Sequence, residues 1–475
     1  MSTSLKKKFL YNIILTVGNY IFPLLVYPYT SRVLGVVNIG ICNYVDSIIN
    51  YFVLFSALGV GSLGVREVAR AKEEGERLDK VFSTLVFFNV LLTIFAVILL
   101  VALTYFVPLF ESYKDYLLIG ILKLVMSAFL VEWFYQGISN FKFVTIRSLI
   151  VRTLYVFGVF LFVRTKDDAL IYYFLTCLMV AGNAIYNWLY SRKLVKMSFK
   201  SINLKLYLVP ILSYGLYRIL TSMYTTFNVT FLGTVTSDIE VGYFTTATKL
   251  YTIIMSLFTA FTTVMVPRVS ELVAKGDRES LVSIAKKTFN AVFSISIPLI
   301  YICYCYASLI INIIAGEGYE GAVLPFQIVM ILLLVIALEQ IIIQQFLMAI
   351  TNSKCIIVLS SLGAVIGLLC NFVLDVPLKS TGAAISWAIS EVAILFASLF
   401  YFKKYYSIQF PIGRMVKYCV VYAPILVVYF LFPEQEITWK LVFSLVLILL
   451  WFIFVNIKII PNEFIQSLAN RFLKK

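Results

Sequence analysis

The sequence predicts an all-α polytopic membrane protein with fourteen membrane-spanning helices, and three observations lead to this fold class. Hydrophobic residues make up 61% of the chain and charged residues only 13%, whereas a soluble domain carries roughly a quarter charged residues. Fourteen apolar runs follow one another, each close to the roughly 20 residues that cross a bilayer. Basic residues concentrate in alternate connections between these runs, as the positive-inside rule requires of a multi-pass topology.

The predicted spans are joined by short connections, so no external domain is expected. The first run is too long for the apolar core of a signal peptide and is assigned as the first helix. The spans cover residues 9–30, 39–63, 82–108, 116–137, 147–163, 169–190, 206–232, 240–266, 288–314, 322–350, 355–374, 382–402, 413–432 and 438–460.

The distribution of charge fixes the predicted orientation. With the N-terminus in the cytoplasm, the cytoplasmic segments carry 29 Lys and Arg residues and the opposite segments carry six. Both termini are therefore predicted to be cytoplasmic. The net charge of +15 follows from this topology, and the chain has no basic domain outside the membrane that would bind nucleic acid.

An internal repeat divides the chain. Gly40 and Arg66 lie 26 residues apart, as do Gly242 and Arg268, so a shift of 202 residues lays helices 1–2 on helices 7–8. Six spans in each half give both halves the same orientation, as in transporters built from parallel repeats. We therefore expect two six-helix lobes around a central cavity, followed by two further helices. The predicted divisions are residues 1–200, 201–405 and 406–475.

Composition also narrows the chemistry. The chain contains no histidine, the residue that most often serves as general base and as nitrogen ligand of metals. Its seven cysteines are scattered through apolar runs and are interpreted as core residues. No zinc, nucleotide or glycine-rich phosphate motif is present. Cofactors, metals and enzymatic catalysis are therefore not expected.

Eight charged residues fall inside the predicted spans and away from their ends. Each charge costs at least about 2.5–3.5 kcal/mol at the centre of a bilayer on insertion scales. Such residues are expected to face the interior of the bundle or a water-filled cavity, paired or bound to substrate. They are Lys123, Arg152, Arg218, Lys249, Asp46, Glu132, Glu339 and Glu391.

Helical periodicity places several of these charges on polar stripes. Four helices carry such stripes at matching depths, which predicts a cavity walled by helices 1, 2, 7 and 8. The stripe residues are Tyr214, Arg218, Thr221, Thr225 and Asn228; Asn12, Thr16, Asn19 and Pro23; Asn43, Asp46, Ser47 and Asn50; Thr245, Lys249, Thr252 and Ser256. Two alternatives stay open: the uncharged residues hold helices together, or an Asp46–Lys249 salt bridge locks the lobes.

Two arginines and two prolines are ambiguous. Arg32 and Arg152 lie near the ends of their helices, where substrate contact and snorkelling to the interface are both consistent with the sequence. Pro23 falls on the polar stripe of helix 1, where the carbonyl that it frees is compatible with a hinge. Pro28 lies off that stripe and is expected only to loosen the outer turn.

Three motifs resemble those of the polysaccharide and O-antigen flippases. They are "PYTSRVLG" at the end of helix 1, "REVAR" after helix 2 and "EWFYQGISNFK" at the end of helix 4. This family belongs to the multidrug/oligosaccharidyl-lipid/polysaccharide exporter superfamily, and the resemblance covers about residues 10–400. It implies two six-helix lobes around a central cavity, and it suggests that helices 13–14 border a groove for a lipid tail.

The resemblance implies a flippase that moves undecaprenyl-pyrophosphate-linked oligosaccharide units across the bacterial inner membrane by alternating access. The product is O-antigen, capsule or another surface polysaccharide. Membrane lipids surround a chain expected to be monomeric, and the polymerase and glycosyltransferases of the pathway are candidate partners. The predicted substrate-binding residues are Arg218, Lys249, Arg32, Arg152, Asn19, Asp46, Tyr214 and Thr221.

A second function stays open. A drug or metabolite exporter of the same superfamily, driven by protons or sodium, needs an acidic ion site. Asp46, Glu132 or Glu339 are the candidates for that role. Cations outnumber strong acidic clusters on the predicted cavity stripes, which favours an anionic substrate. Related flippases lead one to expect basic cavity residues on helices 1, 2 and 8, whereas helix 2 carries Asp46 here.

Overall fold

The computed structural model describes residues 3–74, 78–198, 202–349, 353–431 and 439–461. Within these ranges every regular element is helical. Helices are the expected solution for chain that lies in lipid, because they satisfy their backbone hydrogen bonds internally. The chain divides into two compact units, Met1–Thr245 and Thr246–Lys475. The predicted division into lobes at residues 200 and 405 stays a prediction.

The first unit is built from nine helices and the start of a tenth, among the described residues. A short 3-10 turn precedes the fourth helix and another precedes the seventh. The helices are α1 (Thr3–Ala57), α2 (Val60–Glu73), α3 (Leu78–Phe106), α4 (Lys114–Ser127), α5 (Glu132–Gly137), α6 (Phe141–Phe162), α7 (Ala169–Ser191), α8 (Leu204–Thr225), α9 (Phe227–Val235) and α10 (Asp238–Lys275).

The second unit contains the rest of α10 and the helices that follow. Two of them continue as π-helices, over Gln340–Phe346 and Val455–Ile459. The described helices are α11 (Arg278–Cys305), α12 (Ala307–Ala315), α13 (Val323–Glu339), α14 (Ser353–Tyr406), α15 (Ile412–Tyr422), α16 (Pro424–Leu431) and α17 (Trp439–Phe454).

Eleven helical segments in the described part of the chain are long and apolar enough to cross a membrane. Two of them, Ile21–Glu73 and Cys355–Tyr406, contain 53 and 52 residues. Such lengths correspond to about 80 Å of helix, against a hydrocarbon core of about 30 Å. Ile21–Glu73 is interrupted at Gly35 and again at Leu58, and Cys355–Tyr406 is interrupted at Lys379. The predicted multi-pass membrane class is confirmed.

The break in α1 lies at Gly35 and not at either proline. Gly35 has φ 75° and ψ 171°, a conformation that glycine adopts without the steric cost that a Cβ would add. Pro23 and Pro28 lie inside the helical run, and Pro23 is exposed. A proline removes one hydrogen bond but keeps a φ that a helix accepts, so the run continues through both. A hinge at Pro23 stays a prediction.

A tight seam joins the second half of α1 to the start of α10 within the first unit. A Cβ on Gly40 would lie 1.8 Å from the carbonyl oxygen of Asp238, and one on Gly242 would lie 2.4 Å from that of Val36. Asn43 Nδ2 donates to Thr245 Oγ1 at 3.2 Å. The two glycines are 202 residues apart, and so are Val36 and Asp238. These contacts are reciprocal, as a two-fold relation between positions 202 apart would produce.

The turn between α10 and α11 contains a residue that ends the first helix and a residue that caps the second. Gly276 has φ 67° and ends α10, and Asp277 accepts the backbone N–H of Ser280 at 3.1 Å at the start of α11. Hydrogen bonds from Ser280 hold the pKa of Asp277 below its ordinary value. The side chain therefore satisfies one of the free N–H groups at the helix start.

Aromatic side chains fill the contact among α2, α3 and α5. Phe82 packs against Trp133 and Phe134, with ring centroids 5.7 and 5.0 Å away. Gly64 of α2 provides the space for Trp133, because a Cβ there would lie 2.5 Å from the indole ring. In lipid such packing holds helices through van der Waals contact, since water is not there to drive association. The cluster fixes α5 at the edge of the site described next.

Candidate functional site

Two polar cavities within the first unit adjoin each other and share the lining residues Val53, Ala57 and Arg218. The first, called here the Thr221 cavity, has a volume of about 460 Å³ and lies between the second half of α1 and α8. Its polar lining consists of Asn50, Tyr51, Tyr217, Arg218, Thr221, Ser222, Thr225 and Thr226. Its size falls within the range of small-molecule sites. Thr221 and Thr225 belong to the predicted polar stripe, and the structure brings both together with Arg218.

The second cavity, called the Glu132 cavity, has a volume of about 520 Å³. It is bounded by the end of α1, α2, α3, the α4–α5 connection and Arg218 of α8. Its polar and aromatic lining consists of Ser62, Asn89, Ser127, Glu132, Trp133, Gln136 and Arg218. This cavity therefore combines a carboxylate, amides, hydroxyls and an indole ring.

Arg218 borders both cavities. Its side chain is exposed to them, and its Nη1 lies 3.3 Å from the place that a Cβ on Gly61 would take. Within the described residues it makes no ion pair or hydrogen bond. The guanidinium therefore presents an uncompensated positive charge and its donors to whatever occupies these cavities.

Glu132 is held in its cavity by a buried cation. Arg147 Nη2 donates to Glu132 Oε1 at 2.9 Å, with side-chain exposures of 1% and 42%. Arg147 also donates to Asn183 Oδ1. Since α6 begins at Phe141, Arg147 lies nearly two turns inside the helix. The sequence prediction began the fifth span at residue 147 and so missed this intramembrane arginine.

Asp46 pairs with Lys123 of α4. The two charged atoms are 2.6 Å apart, and Asn50 Nδ2 donates to the other oxygen of Asp46 at 3.1 Å. Asp46 therefore has a cationic partner within the first unit, and the alternative Asp46–Lys249 salt bridge stays a prediction. Helix periodicity gives the face on which a residue lies, but it does not show which neighbouring helix packs on that face.

Three other predicted binding residues make local contacts. Tyr214 accepts a hydrogen bond from Arg66 at 3.5 Å and is not among the residues that line either cavity. Arg152 donates to the carbonyl of Gly18 at 3.2 Å, which ties α6 to α1. Arg32 donates to the carbonyl of Pro28 at 2.8 Å. The role of each in binding stays a prediction.

Two predicted residues cannot be placed at these cavities. The side chain of Asn19 lies outside the described residues. Lys249 is half-buried and belongs to the second unit. The contribution of both to substrate binding stays a prediction.

A pair of acids lies inside the second unit. Glu339 and Glu391 are 7% and 5% exposed, and their carboxyl groups lie close together. Trp387 Nε1 donates to Glu391 Oε1 at 2.8 Å, and the Tyr251 ring packs edge-on against Trp387 at 5.2 Å. Among the described residues, Glu339 Oε1 and the Tyr251 hydroxyl are buried without a hydrogen-bond partner.

Sequence reasoning missed several members of the site. Asn89, Trp133 and Gln136 line the Glu132 cavity, although two of them stand within the quoted motif after Glu132. The available signal was that motif itself, which ends helix 4 with polar side chains in an apolar context. Asn89 gives no such signal, because a single amide in an apolar run also serves to join helices.

Sequence comparisons relate this chain to proteins of surface polysaccharide synthesis. A family model described as "Polysaccharide biosynthesis protein" matches residues 5–273. A protein of Escherichia coli strain K12, provisionally named O-antigen transporter, is 25% identical over 394 residues, which cover 82% of this chain and 95% of that protein. A protein of the same description from Shigella dysenteriae is 25% identical over 395 residues, covering 82% of this chain and 98% of that protein.

Structure comparisons relate the fold to solved transporters. The lipid II flippase MurJ in an inward closed conformation matches with a TM-score of 0.75 and 17% identity, covering 98% of this chain and 100% of that one. A multidrug resistance MATE family transporter of the MOP superfamily, in an inward-facing conformation, matches with a TM-score of 0.63 and 16% identity over 84% of this chain and 94% of that one. At these identities the likeness concerns the fold.

Proposed function

This chain belongs to the polysaccharide biosynthesis protein family, and we propose on that premise that it is a flippase for undecaprenyl-pyrophosphate-linked oligosaccharides in the bacterial inner membrane. The family membership predicted from the motifs of helices 1, 2 and 4 is confirmed. The curated relatives are described as transporters, which agrees with a transport protein and not an enzyme. The finer points of substrate, membrane and mechanism are our proposal.

One observation carries the proposal: Arg218 lines two polar cavities and forms no ion pair with any residue that the structure describes. An uncompensated guanidinium inside a membrane protein is costly, and a ligand that is anionic repays that cost. Arginine suits phosphate groups because its planar fork donates two parallel hydrogen bonds. Thr221 and Thr225 of the same helix donate their hydroxyl hydrogens to the carbonyls of Tyr217 and Thr221, and binding a phosphate oxygen would exchange these bonds. We assign the pyrophosphate to the Thr221 cavity.

The Glu132 cavity suits the saccharide. Glu132, Gln136 and Asn89 offer carboxylate and amide groups to sugar hydroxyls. Trp133 lines the same cavity, but with 7% of its surface exposed it offers a sugar only a small apolar contact. Arg218 lines both cavities and would therefore lie where the phosphate is joined to the sugar. The two cavities together thus match a head group in which a pyrophosphate is joined to a glycan.

The same proposal covers the topology and the mechanism. Fourteen crossings result when each long candidate span is counted as a pair around Gly35 or Lys379 and the α8–α9 segment is added. The proposed topology has lobes at residues 1–200 and 201–405 and helices 13–14 within residues 406–475. Both termini are proposed to be cytoplasmic. Alternating access between the lobes would carry the head group across.

The test is complementation of a deletion strain, read as surface polysaccharide on gels. Arg218→Ala is expected to lower polymer at least about tenfold, since losing a charged hydrogen-bonding group costs about 1.5–3 kcal/mol. Arg218→Lys should retain part of the activity. Lys205→Ala is the matched control, because it removes an exposed cation from the first turn of the same helix. Protein levels are compared by immunoblot.

Two outcomes separate the site from the function. Normal polymer with Arg218→Ala and with Lys249→Ala would reject the cationic site while leaving a flippase. Normal polymer in the deletion strain would reject the function.

The Glu339–Glu391 pair of the second unit supports a second part of the proposal, which is that transport is coupled to an ion. Two buried carboxyl groups close together favour a shared proton or a bound cation, because adjacent like charges disfavour the doubly ionised state. The titratable and polar groups that face the pair are Tyr251 of α10 and Trp387 of α14. The predicted ion-coupling role of Glu339 thus gains Glu391 as its partner. The same pair is what a proton- or sodium-driven drug exporter would use.

Transport in vesicles tests this coupling. Glu339→Gln and Glu391→Gln are expected to abolish the response of flipping to an imposed proton gradient while leaving the protein folded, since a glutamine keeps the shape and hydrogen bonds of a protonated acid. An unchanged response in both variants would reject the pair as the coupling site. Resistance to cationic dyes that depends on expression of the wild-type chain would favour the exporter instead.

A further inference from the structure

A small apolar slot adjoins the Thr221 cavity. This feature, called here the Leu99 slot, has a volume of about 290 Å³ and is lined by Tyr51, Phe52, Leu54 and Phe55 of α1, Leu99 of α3 and Ile219 of α8. The only polar atom on these side chains is the Tyr51 hydroxyl, which donates to the carbonyl of Ser222 at 3.1 Å. The slot therefore offers only carbon to a ligand.

The slot opens at the surface of the first unit. Phe55 and Leu99 are 38% and 40% exposed, and neighbouring side chains of α3, such as Phe95 and Ile98, are exposed as well. Exposed apolar side chains on membrane-spanning helices face lipid. A hydrocarbon chain therefore reaches the slot directly from the bilayer.

The Leu99 slot adjoins Arg218 through residues that are neighbours in the sequence. Tyr51 and Leu54 line both the Leu99 slot and the Thr221 cavity. On α8, Arg218 lines the cavity and the next residue, Ile219, lines the slot. One turn of helix therefore presents a guanidinium to one side and an aliphatic side chain to the other. A ligand that fills both places has an anion attached to the very start of its hydrocarbon.

We propose that the Leu99 slot holds the first isoprene units of a polyprenyl diphosphate whose phosphates lie against Arg218. The inference rests on the function proposed above and adds a site for the lipid tail. In a prenyl diphosphate the phosphate is bonded directly to the branched chain. In a phospholipid, ester groups separate the phosphate from two acyl chains, and the slot has no partner for those esters.

The proposal places the tail between α1, α3 and α8. The resemblance to flippases of the superfamily suggests a different place, a groove bordered by helices 13–14. The two positions make different predictions for where a chain-bound label attaches, so the experiment below distinguishes them directly.

The experiment is photolabelling of the full chain in nanodiscs of phosphatidylethanolamine and phosphatidylglycerol. The probe is geranylgeranyl diphosphate with a diazirine on its second isoprene unit, and the adducts are mapped by mass spectrometry. Adducts are expected on Phe55, Leu99 or Ile219. Leu99→Trp, which fills the slot, should lower them at least about fivefold because an overfilled space does not readmit a ligand. Leu91→Trp on an exposed position of α3 is the matched control and should leave them unchanged.

Arg218→Gln adds a second criterion, since loss of the phosphate anchor should also lower the adducts. Saturable labelling elsewhere on the chain, or adducts that persist in Leu99→Trp, would overturn the slot while the proposed function stands. Equal labelling of the slot by a diazirine-bearing phosphatidylglycerol would show it to be filled by bulk lipid and would also overturn it. The absence of any labelling that unlabelled geranylgeranyl diphosphate displaces would count against the proposed function itself.

Discussion

Arg147 and Glu132 form an ion pair in which the arginine side chain is 1% exposed and the carboxylate 42%. The two partners therefore have different roles in the structure. Arg147 is enclosed between α6 and α7, where Asn183 takes its second donor, and Glu132 extends from it into the Glu132 cavity. A fixed guanidinium behind a carboxylate sets the direction in which the free oxygen points.

This asymmetry predicts unequal effects of substitution. Glu132→Ala leaves a buried guanidinium without its counter-ion and should cost about 3 kcal/mol, the lower part of the range for broken buried pairs. Arg147→Met leaves a carboxylate that water reaches and should cost less. Thermal unfolding of the purified protein in detergent measures both. Equal losses, or a larger loss for Arg147→Met, would contradict the assignment of the arginine as the buried member.

The Asp46–Lys123 pair calls for a double-mutant cycle. Asp46→Asn and Lys123→Met should each lower the melting temperature, because each leaves a partly buried charge without its partner. The double variant should be more stable than the sum of the two losses implies, with a coupling of about 1–3 kcal/mol. Strict additivity would mean that the 2.6 Å contact contributes nothing to stability.

The glycine seam gives a third prediction. Gly40→Ala and Gly242→Ala each place a methyl group against a backbone carbonyl, 1.8 and 2.4 Å away before relaxation, and each should cost about 1–3 kcal/mol through overpacking. Gly413→Ala is the control, since nothing lies within 4 Å of its Cβ. An alanine there should be neutral or stabilising by up to about 1 kcal/mol within α15. Melting temperatures by size-exclusion after heating rank the three variants.

Substitutions at Pro23 and Gly35 distinguish the predicted hinge of α1 from the observed break in that helix. Gly35→Ala should destabilise the protein by about 1–2 kcal/mol, because an alanine at φ 75° is strained. Pro23→Ala should leave stability intact and lower flipping if Pro23 is the hinge. Surface polysaccharide in the complementation assay, with immunoblots for protein level, provides the comparison. Normal polymer with Pro23→Ala would reject the hinge and leave Gly35 as the point where α1 bends.

The membrane class and the family could be predicted from the sequence because both depend on features that lie along the chain. Apolar runs set the helices, and short motifs set the family. The partners of the charges were harder to predict. Asp46 pairs with Lys123, and Glu132 with Arg147, because α1 packs on α4 and α6 begins earlier than its hydropathy suggests. Such pairings depend on which helices are neighbours, and periodicity within one helix does not contain that information.

The predicted polar stripe of helix 7 is only partly continuous in the structure. Arg218, Thr221 and Thr225 line one cavity as a stripe should. Tyr214, one turn earlier on the same face, accepts a hydrogen bond from Arg66 instead. Asn228 falls beyond the end of α8 and is buried. A stripe in sequence is continuous only as long as the helix is.

The contact between Asn43 and Thr245 provides a gauge for motion. Because these two positions are 202 residues apart, each would be the counterpart of the other in the predicted repeat. Spin labels placed at both positions would report the opening of this seam as a single distance that starts near contact. An increase above that starting distance would directly measure how far α1 and the start of α10 have separated.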